Sequence, residues 1–190
     1  MPHMPHMPRE TLPVVLERAT AEQASVLANL LELYIHDLSE AFELEIGPDG
    51  RFGYPRLAQY WSEPERRHAF FLRAAGQLAG FALVTRGSPA TSDPEHLDVA
   101  EFFVLRRYRR SGVGSAAATQ LWNQLPGHWV VRVAERNAAA QPFWRALVAQ
   151  YSLGRGTERA FSSAGKPWTV FELESPAARR ARADEIIETR

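Results

Sequence analysis

The segment Glu101–Trp122, EFFVLRRYRRSGVGSAAATQLW, predicts a β-strand that passes through a basic loop into an α-helix. A run of β-forming residues ends near Leu105, and small and apolar residues typical of a helix start near Gly112. The loop between them carries four arginines in five positions, namely Arg106, Arg107, Arg109 and Arg110. A helix N-terminus offers free amides and the positive end of the helix dipole, and Gly112 and Gly114 leave the backbone open to a ligand. The segment therefore predicts a binding site for phosphate or pyrophosphate.

The composition limits the classes of protein to be considered. The chain has 190 residues, of which 45% are hydrophobic, so one domain with a single core is expected. Its 22 basic and 22 acidic residues cancel, and no overall field favours nucleic acid or an acidic membrane surface as a partner. The absence of cysteine excludes disulfides and thiolate chemistry, and six scattered histidines without an HExxH pattern predict no metal site. Without a secretory signal or a long apolar stretch, a cytoplasmic protein is expected.

The chain divides into a leader, one domain and a tail. Residues 1–12 carry a Met-Pro-His repeat and are expected to be disordered, and residues 176–190 form a charged tail. The domain, residues 13–175, alternates strand and helix patterns, which predicts an α/β fold with one mixed sheet and helices on both faces. The predicted strands are VVLERA after Pro13, a hairpin around Ala75–Gln77, LDVAEFFVL, HWVVRVA and PWTVFELE. The predicted helices are Ala21 to Ser39, a short one at PRLAQYW, Ser111 to Leu125, and Asn137 to Gln150.

Two other phosphate-binding loops match parts of the segment but not all of it. A Walker loop requires a lysine after its second glycine, and the only lysine in the chain is Lys166. A dinucleotide-binding loop has the form GxGxxA, which Gly112, Gly114 and Ala117 match. Glu135 also lies near the expected acidic position, but six residues separate the strand from Gly112, where that loop allows almost none. A nucleotide-dependent oxidoreductase is therefore only a third hypothesis.

Two motifs resemble those of the GNAT superfamily of N-acetyltransferases. The acyl-CoA loop of that family, an Arg or Gln followed by xxGxG or xxGxA after a strand, is matched by Arg109, Gly112 and Gly114. One strand further along, NAAAQPFW resembles the family's NxxAxxFY, with matches at Asn137, Ala140, Phe143 and Trp144. The order of elements from Val14 to about Glu174 is also similar. The resemblance implies a single-domain GNAT-like fold with a mixed, mainly antiparallel central sheet, helices on both faces and splayed central strands.

The resemblance also implies a co-substrate and a reaction. An acetyl group would pass directly from acetyl-CoA to the primary amine of a small molecule or of an aminoacyl or peptide acceptor. The backbone of Phe102–Val104 would pair with the pantetheine arm, and the amides of the turn would bind the pyrophosphate. The protein would act as a monomer or a homodimer. The residues expected to bind acetyl-CoA are Phe102, Phe103, Val104, Arg109, Arg110, Ser111, Gly112, Val113, Gly114, Ser115, Asn137, Phe143 and Trp144.

Candidate catalytic groups lie on the strand before the turn and on the helices after it. Glu101 and Asp98 are carboxylates that could deprotonate an amine, and Glu101 lies closer to the expected position of the thioester. Because three positions separate them, a regular strand would place them on opposite faces, so that only one would face the acceptor. Many relatives have a Tyr at the position of Trp144, where it protonates the leaving thiolate, and an indole cannot do this. Tyr108, Tyr151 or water are candidates for that role.

The acceptor is poorly defined by the sequence. The place of the first helix and its following loop in the family fold implies that they form the acceptor walls, with Tyr34, His36, Asp37, Tyr54, Tyr60 and Trp61. Acidic side chains there would attract an amine, and aromatic rings could contact a cation. The Trp at position 144 also leaves a second hypothesis open, a non-catalytic acyl-CoA-binding module.

Overall fold

The structure, a computed structural model, describes residues 12–180; residues 12–175 form a seven-stranded sheet and four α-helices, and residues 176–180 are also helical. The strands are β1 (Val14–Arg18), β2 (Arg67–Ala74), β3 (Gln77–Arg86), β4 (Leu97–Val104), β5 (His128–Ala134), β6 (Thr157–Ser163) and β7 (Lys166–Glu174). The helices are α1 (Ala24–Phe42), α2 (Gln59–Ser62), α3 (Val113–Gln124) and α4 (Gln141–Ser152). The predicted leader, except residue 12, and the predicted tail after residue 180 lie outside the described residues.

The sheet has the strand order β1-β2-β3-β4-β5-β7-β6 and separates two apolar cores. All neighbouring strands are antiparallel except β4 and β5, which are parallel. On one face Leu27 and Leu31 of α1 pack with Phe81 of β3. On the other face Leu121 of α3 packs in a core with Leu147 of α4. The predicted α/β fold with a mixed, mainly antiparallel sheet and helices on both faces is confirmed.

The parallel strands β4 and β5 separate after three paired positions. Leu97–Val99 pairs with Trp129–Val131. Beyond these positions β4 continues to Val104 and β5 to Ala134, but the two strands no longer pair with each other. This confirms the predicted splay of the central strands. The splay opens a slot through the middle of the sheet, and both strands leave backbone groups along it without a partner strand.

A β-bulge in β4 lies at the start of this slot. Leu83 of β3 pairs with Glu101 and the next residue, Val84, pairs with Val99, so Ala100 is the extra residue in β4. A bulge shifts the alternation of side chains by one position. Residues on either side of Ala100 therefore face the sheet differently from the positions that a regular strand would give them.

The ends of two helices differ from the prediction. A 3-10 turn, Ala21–Gln23, precedes α1, which extends to Phe42. The predicted start of the last helix at Asn137 is wrong, because the Asn137 carbonyl accepts the amide of Ala140 in a turn and α4 begins at Gln141. A proline in the first helical turn, where its missing amide costs nothing, fixes that start. No helix within residues 12–180 is sufficiently long and apolar to cross a bilayer.

The edge strand β6 was not predicted from the sequence. This strand has the sequence TERAFSS, is largely exposed, and pairs with β7 along one side. A strand with little burial has no need of the alternating apolar residues by which strands are recognised.

Candidate active site

The N-terminus of α3 forms a set of open backbone amides. Gly112 precedes the helix with a left-handed φ of 84°, and its carbonyl accepts the first helical hydrogen bond, from Ala116, at 3.0 Å. The amides of Val113, Gly114 and Ser115 therefore lie before the helical hydrogen-bond ladder. Glycine adopts this backbone conformation without strain, whereas a branched side chain does not. With the helix dipole, these amides make a site suited to a phosphate group, as the sequence predicts.

Gly114 allows α3 to lie close to α4 and to the end of β4. A β-carbon at this position would lie 3.3 Å from the Phe143 ring and 3.5 Å from a methyl group of Val104. The Phe143 ring in turn stacks on Phe102, with their centres 6.4 Å apart. The two family motifs are thus in contact, and the glycine of one packs against the aromatic ring of the other.

Two of the four arginines of the turn bind a carboxylate of α1. Arg106 donates to Asp37 at 2.6 and 3.1 Å, and Arg109 also donates to Asp37. The Nε of Arg109 donates to the carbonyl of Val104 at 2.8 Å. The Arg109 side chain, predicted to bind the cofactor, is therefore engaged by the protein itself. This contact joins residues about 70 positions apart, and no sequence signal indicates it.

The Asp37 contacts predict an acid-sensitive contribution to stability. Burial would raise the pKa of the Asp37 carboxyl, but hydrogen bonds from Arg109 and Arg106 hold that pKa below its ordinary value. Asp37→Asn should lower the free energy of unfolding at pH 7 by about 0.5–1 kcal/mol, a small value because the side chains of Arg106 and Arg109 are 75% and 43% exposed. Because folding lowers the pKa of Asp37, its ionised carboxylate stabilises the fold at every pH above the pKa of about 3.9 in the unfolded chain. This stabilisation is lost as the pH falls through the lower pKa of the folded state.

Urea unfolding between pH 7 and pH 3 measures the difference in free energy of unfolding between the wild type and Asp37→Asn. We expect it to be constant down to about pH 5 and to shrink at lower pH. The control is Asp49→Asn, because the exposed Asp49 carboxylate accepts the Arg51 amide at 3.3 Å and an Asn side chain can do the same. Identical stability of wild type and Asp37→Asn at pH 7 would contradict the prediction.

A cleft of about 330 Å³ passes through the slot between β4 and β5. Trp144 and Ala140 line it on the α4 side of the sheet, and Leu38 and Phe42 line it on the α1 side. The predicted residues that contribute to its walls are Tyr34, Glu101, Phe102, Asn137 and Trp144. The cleft therefore connects the two faces of the sheet at the point where the central strands separate.

Glu101 is a nearly buried carboxylate inside the cleft. It accepts the hydroxyl of Tyr34 at 2.6 Å and the hydroxyl of Tyr54 at 3.2 Å. Burial raises the pKa of Glu101, and this outweighs the lowering by the two hydroxyls and by the charge of Arg132. Such a carboxylate is a stronger base than an exposed one, and a pKa raised towards the operating pH suits a general base.

The loop that brings Tyr54 to Glu101 is fastened to α1 by a second carboxylate. Glu32 accepts the backbone amide of Phe52 at 2.8 Å and that of Gly53 at 2.9 Å. Two hydrogen bonds to a charged group hold the loop more firmly than neutral bonds would. Glu32 was not predicted from the sequence, because a carboxylate on the polar side of a helix is ordinary.

Asp98 lies on the same face of the sheet as Glu101, so the prediction that they occupy opposite faces is wrong. Asp98 pairs with Thr85 and Glu101 with Leu83, two positions apart on β3, because of the bulge at Ala100. Asp98 is fully buried and accepts Arg132 at 2.8 and 3.0 Å and the hydroxyl of Ser88. Its oxygens are thus occupied, and it is not among the residues that line the cleft.

Tyr151, predicted as a possible acid, lies away from the cleft. Its hydroxyl donates to Asn123 at 2.7 Å, near the C-terminus of α3. Asn123 is ten residues after Val113, which corresponds to about 15 Å along the helix from the amide site. Tyr108 does not line the cleft either.

An aromatic group forms the wall of the cleft on the α4 side. Trp144 is buried, with its ring centre 5.1 Å from that of Phe102 and 4.9 Å from that of Phe143. Phe103, also predicted to bind the cofactor, points to the opposite face and packs against Tyr34 at 5.7 Å. Its backbone carbonyl points towards Gly80 of β3, so neither its ring nor this carbonyl faces the slot.

The predicted acceptor walls are partly brought together. Tyr34 and Tyr54 meet at Glu101, while Asp37 binds the arginines of the turn. Tyr60 is buried beside Tyr54 in the core of the α1 face. The other two members pack elsewhere: the indole of Trp61 donates to the Ala19 carbonyl, and His36 packs edge-on to Phe52. The acceptor side of the cleft is completed by residues that were not predicted from the sequence, among them Leu38, Phe42, Leu44, Arg132, Lys166 and Trp168.

The family is shown by the sequence itself. Residues 29–147, more than half of the chain, match the model of the acetyltransferase (GNAT) family. The chain belongs to this family, as the two motifs predicted, and thus to the acyltransferases that use acetyl-CoA. Among curated protein sequences none matches significantly.

Solved structures share the fold at low sequence identity. An acetyltransferase from Thermus thermophilus is 20% identical with a TM-score of 0.58, covering 86% of this chain and 98% of its own. A GNAT-family acetyltransferase from Streptococcus agalactiae is 13% identical with a TM-score of 0.60, covering 85% and 95%. The Salmonella typhimurium protein yncA, solved with its cofactor acetyl-CoA, is 12% identical with a TM-score of 0.57, covering 85% and 94%. At these identities the likeness establishes the fold.

Proposed function

We propose that the protein transfers an acetyl group from acetyl-CoA directly to a primary amine of a small molecule or of an aminoacyl or peptide acceptor. The observation that carries this proposal is the position of Glu101, a nearly buried carboxylate in a cleft that joins the two faces of the sheet. One face presents the open amides of α3 and the other presents the acceptor walls. The proposal further includes a cytoplasmic location and a monomeric or homodimeric state.

The residues around the slot fit acetyl-CoA, which supplies the acetyl thioester when it is bound. The amides of Val113–Ser115 would hold its pyrophosphate. The space around Gly112 is open, since no atom of residues 12–180, apart from its chain neighbours, lies within 4 Å of the position of a β-carbon there. The edge of β4 from Phe102 to Val104 has no partner strand in β5 and would offer backbone groups to the pantetheine arm, although the Val104 carbonyl already accepts a hydrogen bond from Arg109. Trp144 and Phe143 would form an apolar wall beside it.

Glu101 would accept the proton of the acceptor amine, directly or through one water molecule. An amine must be neutral to attack a carbonyl, and a general base contributes to that step about 10²–10⁴-fold in rate. The hydroxyls of Tyr34 and Tyr54 would hold the carboxylate in one orientation. A backbone amide near Val104 would stabilise negative charge on the carbonyl oxygen, a contribution of about 3 kcal/mol for one such donor.

Protonation of the leaving thiolate falls to water in this proposal. Trp144 has no ionisable group, and Tyr151 donates its hydroxyl to Asn123, away from the cleft. Thiolates of ordinary acidity leave without strong acid assistance at neutral pH. The pH dependence of the reaction should therefore report the base rather than an acid.

Ligand binding and turnover test the proposed function separately. Thermal unfolding should shift upwards with CoA or acetyl-CoA and not with NAD, because only a ligand of the native state raises the midpoint. Release of free thiol from acetyl-CoA should then depend on an added primary amine. CoA binding without turnover across a broad amine panel would favour the non-catalytic module, and a shift with NAD alone would favour the oxidoreductase.

A further inference from the structure

A buried ion pair beneath the cleft has no part in the proposed proton transfer. Asp98 is fully buried and receives two hydrogen bonds from Arg132, at 2.8 and 3.0 Å, and a third from Ser88. Burying two charges costs hydration free energy, and their mutual attraction compensates for only part of that cost. Proteins in which apolar residues replace such a pair are often no less stable. The pair therefore holds a guanidinium in one orientation at a cost, which suggests a use for it.

Arg132 reaches the cleft from its fixed position. Its Nε and Nη2 bind Asp98, its guanidinium lies 5.6 Å from the centre of the Trp168 ring, and its side chain remains 19% exposed. Within residues 12–180 no hydrogen bond from Nη1 is found, and Arg132 is one of the residues that line the cleft. A donor of the guanidinium is thus available to an anion that enters from the α1 side.

Arg132 and Glu101 lie next to each other across the slot. The last paired positions of the two strands are Val99 and Val131, so Arg132 follows immediately on β5. The bulge at Ala100 places Glu101 on the same face as Arg132 and Asp98. The cation is close enough to Glu101 to oppose the rise of its pKa, while Tyr34, Tyr54 and the more distant Tyr60 and Asp98 are the other titratable groups around it.

We infer that the acceptor is an α-amino acid with an apolar side chain, whose amine faces Glu101 and whose carboxylate binds Arg132. A negative and a positive group side by side complement a zwitterion, and neither alone would select one. Leu38, Phe42 and Leu44 supply the apolar wall for the side chain. The inference rests on the proposed function and narrows its acceptor to one chemical class.

Matched acceptors test this inference. Phenylalanine, leucine and methionine are compared with their carboxamides, in which the carboxylate is replaced by an uncharged group of similar size. With CoA present and at a pH low enough for both amines to be protonated, calorimetry should show at least about tenfold tighter binding of the acids. Equal or tighter binding of the carboxamides by the wild-type protein would overturn the inference, whether or not any acceptor is acetylated.

Replacement of the ion pair gives the matched test in the protein. In the double variant Asp98→Leu/Arg132→Met both charges are removed together, and the acid-to-carboxamide ratio should fall to about one. The control Arg145→Met/Glu158→Gln removes a two-bond pair between α4 and β6, away from the cleft, and should keep the wild-type ratio. If the double variant does not fold, Arg132→Lys takes its place, because lysine keeps the positive charge but lacks the planar set of guanidinium donors. An unchanged acid-to-carboxamide ratio in either variant, once shown to be folded, would overturn the inference. If the wild-type protein binds the acids more tightly than the carboxamides but releases no thiol from acetyl-CoA with them, the result would count against the proposed function and not against this inference.

Discussion

Glu101→Gln is expected to lower kcat by about a hundredfold to a thousandfold, with acetyl-CoA affinity within about twofold of wild type. The amide has nearly the shape of the carboxylate and can still accept a hydrogen bond from Tyr34, but it cannot take a proton. Steady-state thiol release with saturating amine gives kcat, and calorimetry gives the affinity. The effect should therefore fall on the chemical step and not on binding of the co-substrate.

The pH profile separates loss of a base from a general disturbance. Burial raises the pKa of Glu101, and a base acts only when deprotonated, so wild-type kcat/KM should rise with pH through that raised value. The variant should lack this step. Because folding raises this pKa, stability falls as pH rises from the unfolded to the folded value, and the variant, which has no charge to bury, should melt no lower than wild type at pH 7.

Glu43→Gln is the control for Glu101→Gln. Glu43 lies at the end of α1 with its side chain 81% exposed, and its contact with Arg136 is a surface ion pair of 3.7 Å. This variant should keep the wild-type kcat and pH profile, because exposed pairs contribute little. A kcat for Glu101→Gln equal to that of Glu43→Gln, with the same pH step, would exclude Glu101 as the base.

The strand, turn and helix of the amide site could be predicted because their signals are local. Small residues after Gly112 and the β-forming run before Leu105 define elements that their own backbones form, and a helix N-terminus has the same open amides in any protein. The second motif allowed the family to be recognised, and with it the splay of the central strands, which neighbouring residues alone do not specify. The predicted elements and the predicted splay are both present in the structure.

The surroundings of Glu101 were harder to predict, because they depend on contacts between distant parts of the chain. A bulge of one residue at Ala100 reverses the faces of a strand, and period-two patterns do not reveal it when the residues on both sides are buried. The partner of the arginine turn, Asp37, and the fastening of the Tyr54 loop by Glu32 also join separate elements. In the sequence, Asp37 and Glu32 look like ordinary surface carboxylates, because their partners lie in distant parts of the chain.

Gly112→Val should weaken acetyl-CoA binding by about 30- to 150-fold. The position has a φ of 84°, which a β-branched residue adopts only with strain, and the space where its side chain would lie is the open space before the amides of α3. Displacing an anion from one or two charge-assisted hydrogen bonds costs about 2–3 kcal/mol, which corresponds to that factor. Calorimetric titration of the folded variant with acetyl-CoA measures it.

Gly154→Val separates the effect on binding from the effect on the backbone. Gly154 has a similar φ of 75° and follows the C-terminus of α4. In the described part of the chain, no atom other than those of its chain neighbours lies within 4 Å of a β-carbon placed there. Both substitutions should therefore destabilise the fold by a similar amount, about 1–3 kcal/mol, because the strain is the same. Only Gly112→Val should lose affinity, since only there does the side chain enter the space in front of free amides. Equal affinities in the two variants would show that the pyrophosphate binds somewhere other than the N-terminus of α3.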